Sequence, residues 1–397
     1  REVAAGFGYQ EYDTCVLESE ELYVRKAGDE ITEQLYGFED KGGRRVSLRP
    51  EMTPSLVRML LSRRNSLQLP ARWFSIPQCF RYEKMQKGRK REHFQWNMDI
   101  LGMAGVAAEV ELMSAQAAFL RAVGLRVDGD DPEISFKVSN RQVLEQFLGT
   151  LSIEGEAFER VCVIIDKRDK IGDEATARLL VETGVTDETA SQILALLDVR
   201  GMDDLLAMVG DDNEGVQSLQ ALTTLGEAAG IGNVLQIDLS VVRGLSYYTG
   251  TVWELFDIHG AVPRAIAGGG RYDRLMESLG GTPTPMVGFG FGDVVIGLIL
   301  EERGLLPDLS QRVDDVVYPM GEDQFSDATR LAQVLRDEGR RVLVDYRAKR
   351  FKQAIKLADE AGAERLLILG ESEVAEGRVR VRSLGEDRQE SDMPLPS

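Results

Sequence analysis

The spacing of apolar positions changes several times along this chain, and each change predicts an element. From Val106 to Val123 they recur at Val106, Val110, Met113, Ala117 and Leu120, the spacing of a helix with one core-facing stripe. Thr53–Arg64 predicts a helix with a Thr cap and Pro54 in its first turn. Arg1–Gly6 reads as a helix end, and Tyr9–Cys15 and Arg72–Phe80 read as strands. Residues 236–305 predict strands and Gly-rich turns at Ile237–Val242, Gly250–Phe256, Gly268–Gly270 and Val287–Gly292. After Leu306–Asp308, strand and helix alternate: Asp315–Pro319, Ser326–Glu338, Arg341–Asp345, Lys349–Ala361 and Arg365–Leu369. That alternation predicts a parallel-type α/β sheet, with a polar tail from Glu386 that frays.

Composition separates the regions further. Residues 151–235 carry 17 acidic and 6 basic residues, a net of −11, with periodic Leu, Ala and Ile. This reads as an acidic helical insertion; continuation of the first domain is the alternative. The expected organisation is therefore 1–150 and 236–308 as two parts of one mixed region, 151–235 inserted between them, and 309–397 as a final α/β unit. A chain of 397 residues has room for two to three domains.

The net charge of −19 argues against a non-specific polyanion binder. Binding is local, however. The stretch Arg340–Lys356 holds 7 basic residues and 1 acidic, with Tyr346 and Phe351 interleaved. Of 47 Lys and Arg, only 11 are Lys. Abundant acid with little Lys suits a saline host, and a GC-rich genome produces the same skew. Three Cys make no disulfide framework, and two His exclude a His-rich metal site. No apolar run approaches 18 residues and no signal peptide is seen, so the chain reads as soluble and cytoplasmic, with no membrane partner. It begins at Arg1 without Met, and further N-terminal residues are expected.

Five constellations could carry chemistry. Phe80–Asp99 reads as a hairpin with Arg81 and Glu83 at spacing two, a cationic tip (Lys84, Lys87, Arg89, Lys90, Arg91), and Gln95, Asn97 and Asp99 returning at the same spacing. An Arg held there can clamp a phosphate or carboxylate in two-pronged fashion; a solvated charged hairpin is the plainer alternative. LRPEMT sets Glu51 and Thr53 at a helix start, where they can bind an ammonium group or simply cap. VRGLSYYTG offers Arg243, Tyr247 and Tyr248 beside a Gly turn, and GGGRYD lets backbone approach a ligand closely; either could be only a tight loop. VGFGFGD does not match the dinucleotide fingerprint, and no Gly-Lys dipeptide occurs.

Together these segments resemble the histidyl-tRNA synthetase family of class II aminoacyl-tRNA synthetases. LRPEMTPSLVR looks like its first substrate-binding segment, FRYE with REHFQWNMD like motif 2, VRGLSYYTGTVWE and AGGGRYDRL like the two segments peculiar to the family, and VGFGFGDVVIGLIL like motif 3. The resemblance implies an α+β fold: an antiparallel-sheet catalytic core with motifs 1 and 2 before the helical insertion and motif 3 after it, then an α/β anticodon-binding domain. It implies ATP-dependent ligation of L-histidine to tRNA(His) through histidyl-adenylate, with Mg2+ entering on ATP, no protein metal site, and a homodimer. Carried across, Arg81 and Arg243 would be catalytic, holding the α-phosphate. Arg81, Glu83 and Arg89 would bind ATP. Glu51, Thr53, Gln95, Asp99, Arg243, Tyr247, Tyr248 and Tyr272 would bind histidine. Lys87, Arg91, Arg347 and Arg350 would meet tRNA.

The chemistry suits these residues. Attack of a carboxylate on the α-phosphorus builds charge on phosphate oxygens, so positioning and fixed positive charge carry the step, each cation contributing about 3–4 kcal/mol. Three departures stand out: Cys15 where motif 1 usually has Pro, Ser246 where an acidic residue is frequent, and Val295 where the motif 3 Arg is expected. The last keeps open a non-catalytic relative that senses histidine, resembling a regulatory subunit of histidine biosynthesis. A class II synthetase for another amino acid is the third reading.

Overall fold

The computed structural model describes residues 1–24, 32–63, 67–242, 247–260, 264–308, 312–347, 350–385 and 389–396. The chain divides into two compact units, Arg1–Leu306 and Pro307–Ser397. The first unit carries β1 (Gln10–Glu11), β2 (Leu17–Ser19), β3 (Tyr36–Glu39), β4 (Arg45–Leu48), β5 (Ala71–Ser75), β6 (Gln78–Phe80), β7 (Glu92–Leu101), β8 (Ile134–Asn140), β9 (Leu235–Ile237), β10 (Thr251–Asp257), β11 (Ala267–Arg271) and β12 (Met286–Gly292). Among the described residues, nine of these form one sheet ordered β1-β5-β7-β12-β11-β10-β8-β9, with β6 paired to β7. The central pairings are antiparallel; β1 with β5 and β8 with β9 are parallel. β2, β4 and β3 form a separate small sheet.

Strand alternation gives the large sheet two different faces. Met98, Ile100, Val287, Phe289, Phe291, Trp253 and Phe136 enter one apolar cluster with the helix Ala107–Ala122. Residues 151–235 add the helices Glu156–Ile165, Asp173–Glu182, Asp187–Leu197 and Glu214–Ala228, whose Val161, Leu180, Ile193 and Leu219 join that cluster. On the opposite face, Leu56, Val57 and Leu60 of the helix Thr53–Arg63 pack with Tyr247, Tyr248, Val252 and Tyr272.

Three expectations change in this unit. Arg72–Phe80 is two strands, because the β5 ladder ends before Ile76-Pro77, and Pro has no amide to donate. Ile237–Val242 is not one strand. β9 ends at Ile237, and the Asp238 carboxylate accepts from the Ser240 amide and hydroxyl, turning the chain. Tyr9–Cys15 shortens to the two residues of β1.

The second unit holds β13 (Asp315–Pro319), β14 (Val342–Val344), β15 (Arg365–Leu369), β16 (Arg378–Ser383) and β17 (Glu390–Pro394), in the order β14-β13-β15-β16-β17. The helices Phe325–Asp337 and Phe351–Glu360 pack on it. β14, β13 and β15 are parallel, whereas β16 and β17 run antiparallel, so the sheet is mixed rather than wholly parallel. Of the tail expected to fray from Glu386, residues 386–388 lie outside the described residues and Glu390–Pro394 is the sheet's edge strand. Met393 packs on the core, while Asp392 pairs with Arg378 at 3.2 Å and Glu390 with Arg382 at 3.8 Å.

Candidate active site

The site face of the first sheet is built on glycine. Register aligns Asp99 with Gly288, Gly288 with Gly270, and Gly270 with Val252. The next row on that face is Asn97, Gly290, Gly268 and Glu254. Two adjacent central strands therefore present backbone where side chains would stand. A Cβ at Gly288 would run into the Asp99 carboxylate, and one at Gly290 would lie 2.6 Å from Gln95 Nε2. A Cβ at Gly270 would lie 2.6 Å from the Tyr248 ring. GGGR is thus a buried central strand, not the tight loop that glycine content alone allows.

Polar and aromatic groups ring this floor. Tyr272 donates its hydroxyl to the Asp99 carboxylate, and both are buried. Burial pushes the Asp99 carboxyl up to about 7, while the Tyr272 hydrogen bond opposes that rise. Burial beside Asp99 holds the Tyr272 hydroxyl well above the usual phenol range. Tyr247 donates to Glu51 Oε2 at 3.2 Å, and its ring lies 5.1 Å from Tyr248 and 5.8 Å edge-on from Tyr272. Glu51 is buried at the start of the Thr53–Arg63 helix, and Thr53 is that helix's first residue. Glu51, Gln95, Asp99 and the three tyrosines thus border one glycine floor.

Arg81, Glu83 and Arg89 occupy the segment between β6 and β7. Arg81 and Glu83 are not on a strand: β6 ends at Phe80, and the Glu83 amide bonds the Arg81 carbonyl at 2.8 Å, which breaks the extended spacing. Arg81 Nε donates to the Pro50 carbonyl at 3.0 Å, tying this segment to the one that carries Glu51. Arg89 Nη1 lies 2.9 Å from Glu83 Oε2. Lys87 is exposed beside Gly88, whose φ of 82° makes the tip turn. Arg91 stacks 4.1 Å from the Tyr82 ring. Arg243 lies outside the described residues, as does Ser246.

The second unit carries Arg347 and Arg350, both exposed at the end of β14 and the start of the helix Phe351–Glu360. Not all of the basic stretch is available. Arg341 Nη2 pairs with Asp314 at 2.7 Å and Arg340 Nη2 with Asp315 at 3.2 Å.

Four residues join the site that motif reading did not assign. Asn97 and Glu254 sit on the floor's second row, and His93 continues the Gln95, Asn97, Asp99 alternation. Tyr12 packs 5.6 Å from Trp73, in the cluster of the site tyrosines. Period-two counting along β7, which already brings Asn97 onto the Asp99 face, extends to His93, and along β10 it reaches Glu254; Tyr12 leaves no local signal. Burial and nearby Arg81 push the His93 imidazole down to about 4, so it is neutral at physiological pH. Val295 is buried in the far-face apolar cluster, so that position supplies packing, not a cation. Arg271 is likewise structural: it holds Glu109 through two bonds of 2.7 and 2.8 Å.

Residues 1–292 match the Histidyl-tRNA synthetase family, and residues 314–395 match the Anticodon binding domain family. The chain is 44% identical over 389 residues to the chloroplastic/mitochondrial histidine–tRNA ligase of Arabidopsis thaliana, covering 98% of this chain and 79% of that protein. It is 39% identical to the histidine–tRNA ligase of Opitutus terrae, covering 99% and 90%, and 38% identical to that of Halobacterium salinarum, covering 98% and 89%. In fold it is similar to histidyl-tRNA synthetase from Nostoc, with a TM-score of 0.79 at 23% identity over 99% and 91% of the two chains. It is also similar to a Bacillus halodurans protein described as an ATP phosphoribosyltransferase regulatory subunit/histidyl-tRNA synthetase, with a TM-score of 0.75 at 20% identity over 93% and 91%. On sequence and fold together, the chain belongs to the histidyl-tRNA synthetase family.

Proposed function

We propose that this chain activates L-histidine with ATP to histidyl-adenylate and transfers the histidyl group to tRNA(His), releasing AMP and pyrophosphate. The observation that carries this reading is the glycine floor with Asp99 and Tyr272 at one end and the Arg81–Glu83–Arg89 segment joined to it through Pro50. In this reading Asp99, Tyr272, Tyr248 and Tyr247 frame the imidazole, and Glu51, Thr53 and Gln95 receive the α-amino group. Arg81 and Arg243 hold the α-phosphate, Glu83 meets the adenine amino group, and Arg89 meets the terminal phosphates. ATP is a substrate and brings Mg2+ with it.

Regions 1–150 and 236–308 are the catalytic core, 151–235 is its insertion, and 309–397 is the anticodon-binding domain. Lys87 and Arg91 face the acceptor end, while Arg347 and Arg350, beside exposed Tyr346 and Phe351, face the anticodon loop. Exposed Val16, Leu17, Val24 and Phe38 around the small sheet support a homodimer. The acidic surface and several halophilic archaeal relatives support a saline cytoplasm. No described helix is long and apolar enough to cross a membrane.

Histidine-dependent exchange of pyrophosphate into ATP tests the reading. Exchange with histidine alone among the amino acids is expected. Absence of exchange would favour the histidine-sensing relative, and exchange with glycine, proline or threonine instead would overturn the histidine assignment.

A further inference from the structure

The 81–91 segment contains a basic residue whose side chain is spent on the segment itself. Arg91 Nε donates to the Glu83 carbonyl at 3.2 Å, and its guanidinium lies 4.1 Å from the centre of the Tyr82 ring. The Arg81 amide bonds the Arg91 carbonyl at 2.9 Å, closing the base of the segment. Tyr82 is fixed from outside. Its amide donates to the Gln34 carbonyl at 2.7 Å, and its ring meets Tyr36 edge-on at 5.5 Å. The guanidinium therefore bridges an anchored aromatic ring and the backbone of Glu83, in the residue next to that ring.

Guanidinium stacked on an aromatic face is held by the ring quadrupole, and its planar fork loses little freedom per bond. Only one carbonyl on the segment receives this bond, and it belongs to the residue whose carboxylate sits among the ATP-facing groups. We infer that Arg91 is a positioning residue for nucleotide binding, setting Glu83 by clamping its carbonyl against the Tyr82 platform. This rests on the reading of Glu83 as the adenine-facing carboxylate. It adds to the acceptor-end role proposed above for Arg91, because it acts when no tRNA is present.

The test is tRNA-free. ATP and histidine affinities are measured separately by calorimetry on the full chain, and exchange kinetics give KM for ATP and kcat. Arg91→Ala and Tyr82→Leu should each weaken ATP binding about fivefold, the scale of one lost hydrogen bond, and leave histidine affinity unchanged. The double variant should be no worse than either alone, because both remove one clamp. Arg91→Lys, which keeps a cation over the ring, should recover part of the loss. Should Arg91→Ala fail to fold, Arg91→Gln replaces it in the same comparison. ATP affinity within twofold of the parent in both variants, with only the KM for tRNA raised, overturns the inference and leaves the ATP reading intact. Equal weakening of ATP and histidine binding overturns it as a general loss of structure. A parent chain that binds no ATP overturns both.

Discussion

The Tyr272 hydroxyl donates to the carboxylate of Asp99 across the glycine strand that separates β7 from β11. Desolvation dominates at this pair, so the Asp99 carboxyl titrates near 7 instead of near 3.8. Because the folded-state value lies above the unfolded one, the folded state holds the proton more tightly. The associated stability is fully present below about pH 4 and is lost as pH rises through about 7. Asp99→Asn keeps an acceptor for Tyr272 and removes the ionisation. It should match the parent in thermal stability near pH 4.5 and exceed it at pH 8, by on the order of 2 kcal/mol. Melting curves across pH check this; parallel curves would exclude a buried ionisation at Asp99. Histidine activation by the variant should fall at least tenfold, by loss of one charged contact.

The Arg89–Glu83 ion pair at 2.9 Å joins two residues assigned to opposite ends of ATP. In the proposed reading the pair competes with ATP for both side chains, so the Nη1–Oε2 contact is expected to loosen on binding. Arg89→Ala should therefore lose phosphate contacts and lower kcat/KM for ATP about tenfold, whereas Glu83→Gln should cost less because it also frees Arg89. Exchange kinetics with ATP as the varied substrate would check the order; a larger loss in Glu83→Gln would argue that the pair does not compete with ATP.

Gly288 and Gly290 separate steric cost from chemistry. A Cβ at Gly288 would meet the Asp99 carboxylate, itself held by Tyr272, and would lie 2.9 Å from the Met98 carbonyl. At Gly290 it would meet the end of the Gln95 side chain, which can turn away. Gly288→Ala should abolish detectable histidine binding and destabilise by about 1–3 kcal/mol, and Gly290→Ala should cost less on both counts. Calorimetry with histidine and denaturant titration would measure the two; equal effects would contradict the floor geometry.

The glycine floor also shows why the sequence was legible in part. The strand β7 announced itself, because Gln95, Asn97 and Asp99 alternate with buried Met98 and Ile100. The Thr53–Arg63 helix followed from its start signal and apolar spacing. β11 did not, since a strand of glycines has no pattern to read, and only its neighbours' side chains occupy its faces. Arg271 sat in a motif that suggested a ligand, yet its fork is bound to Glu109, 162 residues away. The position of Tyr12 beside Trp73 depends on β1 joining β5, a pairing that local spacing does not encode. The edge strand β17 was hidden for a related reason: its charges read as a solvated tail until Arg378 and Arg382 stand opposite them.

The Arg271–Glu109 pair is buried on both sides and bidentate. Removing one partner leaves an uncompensated charge, so Glu109→Ala should destabilise by about 3–5 kcal/mol. Replacing both, as Arg271→Met with Glu109→Leu, should recover most of that loss, because packing without charge is close to neutral. Denaturant midpoints of Arg271→Met, Glu109→Leu and their double variant give the coupling; an additive double variant would contradict a direct pair.

In the second unit the basic stretch divides by what each guanidinium already does. Asp314 is held down to about 2 by its bonds to Arg341, and Asp315 accepts from Arg365 at 2.6 Å as well as from Arg340. These arginines hold the start of β13 and should report on stability when replaced. Arg347 is exposed after β14 and Arg350 is exposed at the start of the helix Phe351–Glu360, with Tyr346 46% and Phe351 36% exposed beside them. A guanidinium that neutralises one phosphate releases roughly one condensed counterion. Arg347→Ala and Arg350→Ala should therefore each raise the KM for tRNA several-fold at moderate salt and reduce the slope of log affinity against log salt by about 0.7–0.9. Arg340→Ala should instead lower the melting temperature, with little change in that slope. Filter-binding titrations of tRNA at several salt concentrations separate the two classes. The opposite assignment, with Arg340 setting the slope, would mean that its pairing with Asp315 opens when RNA arrives.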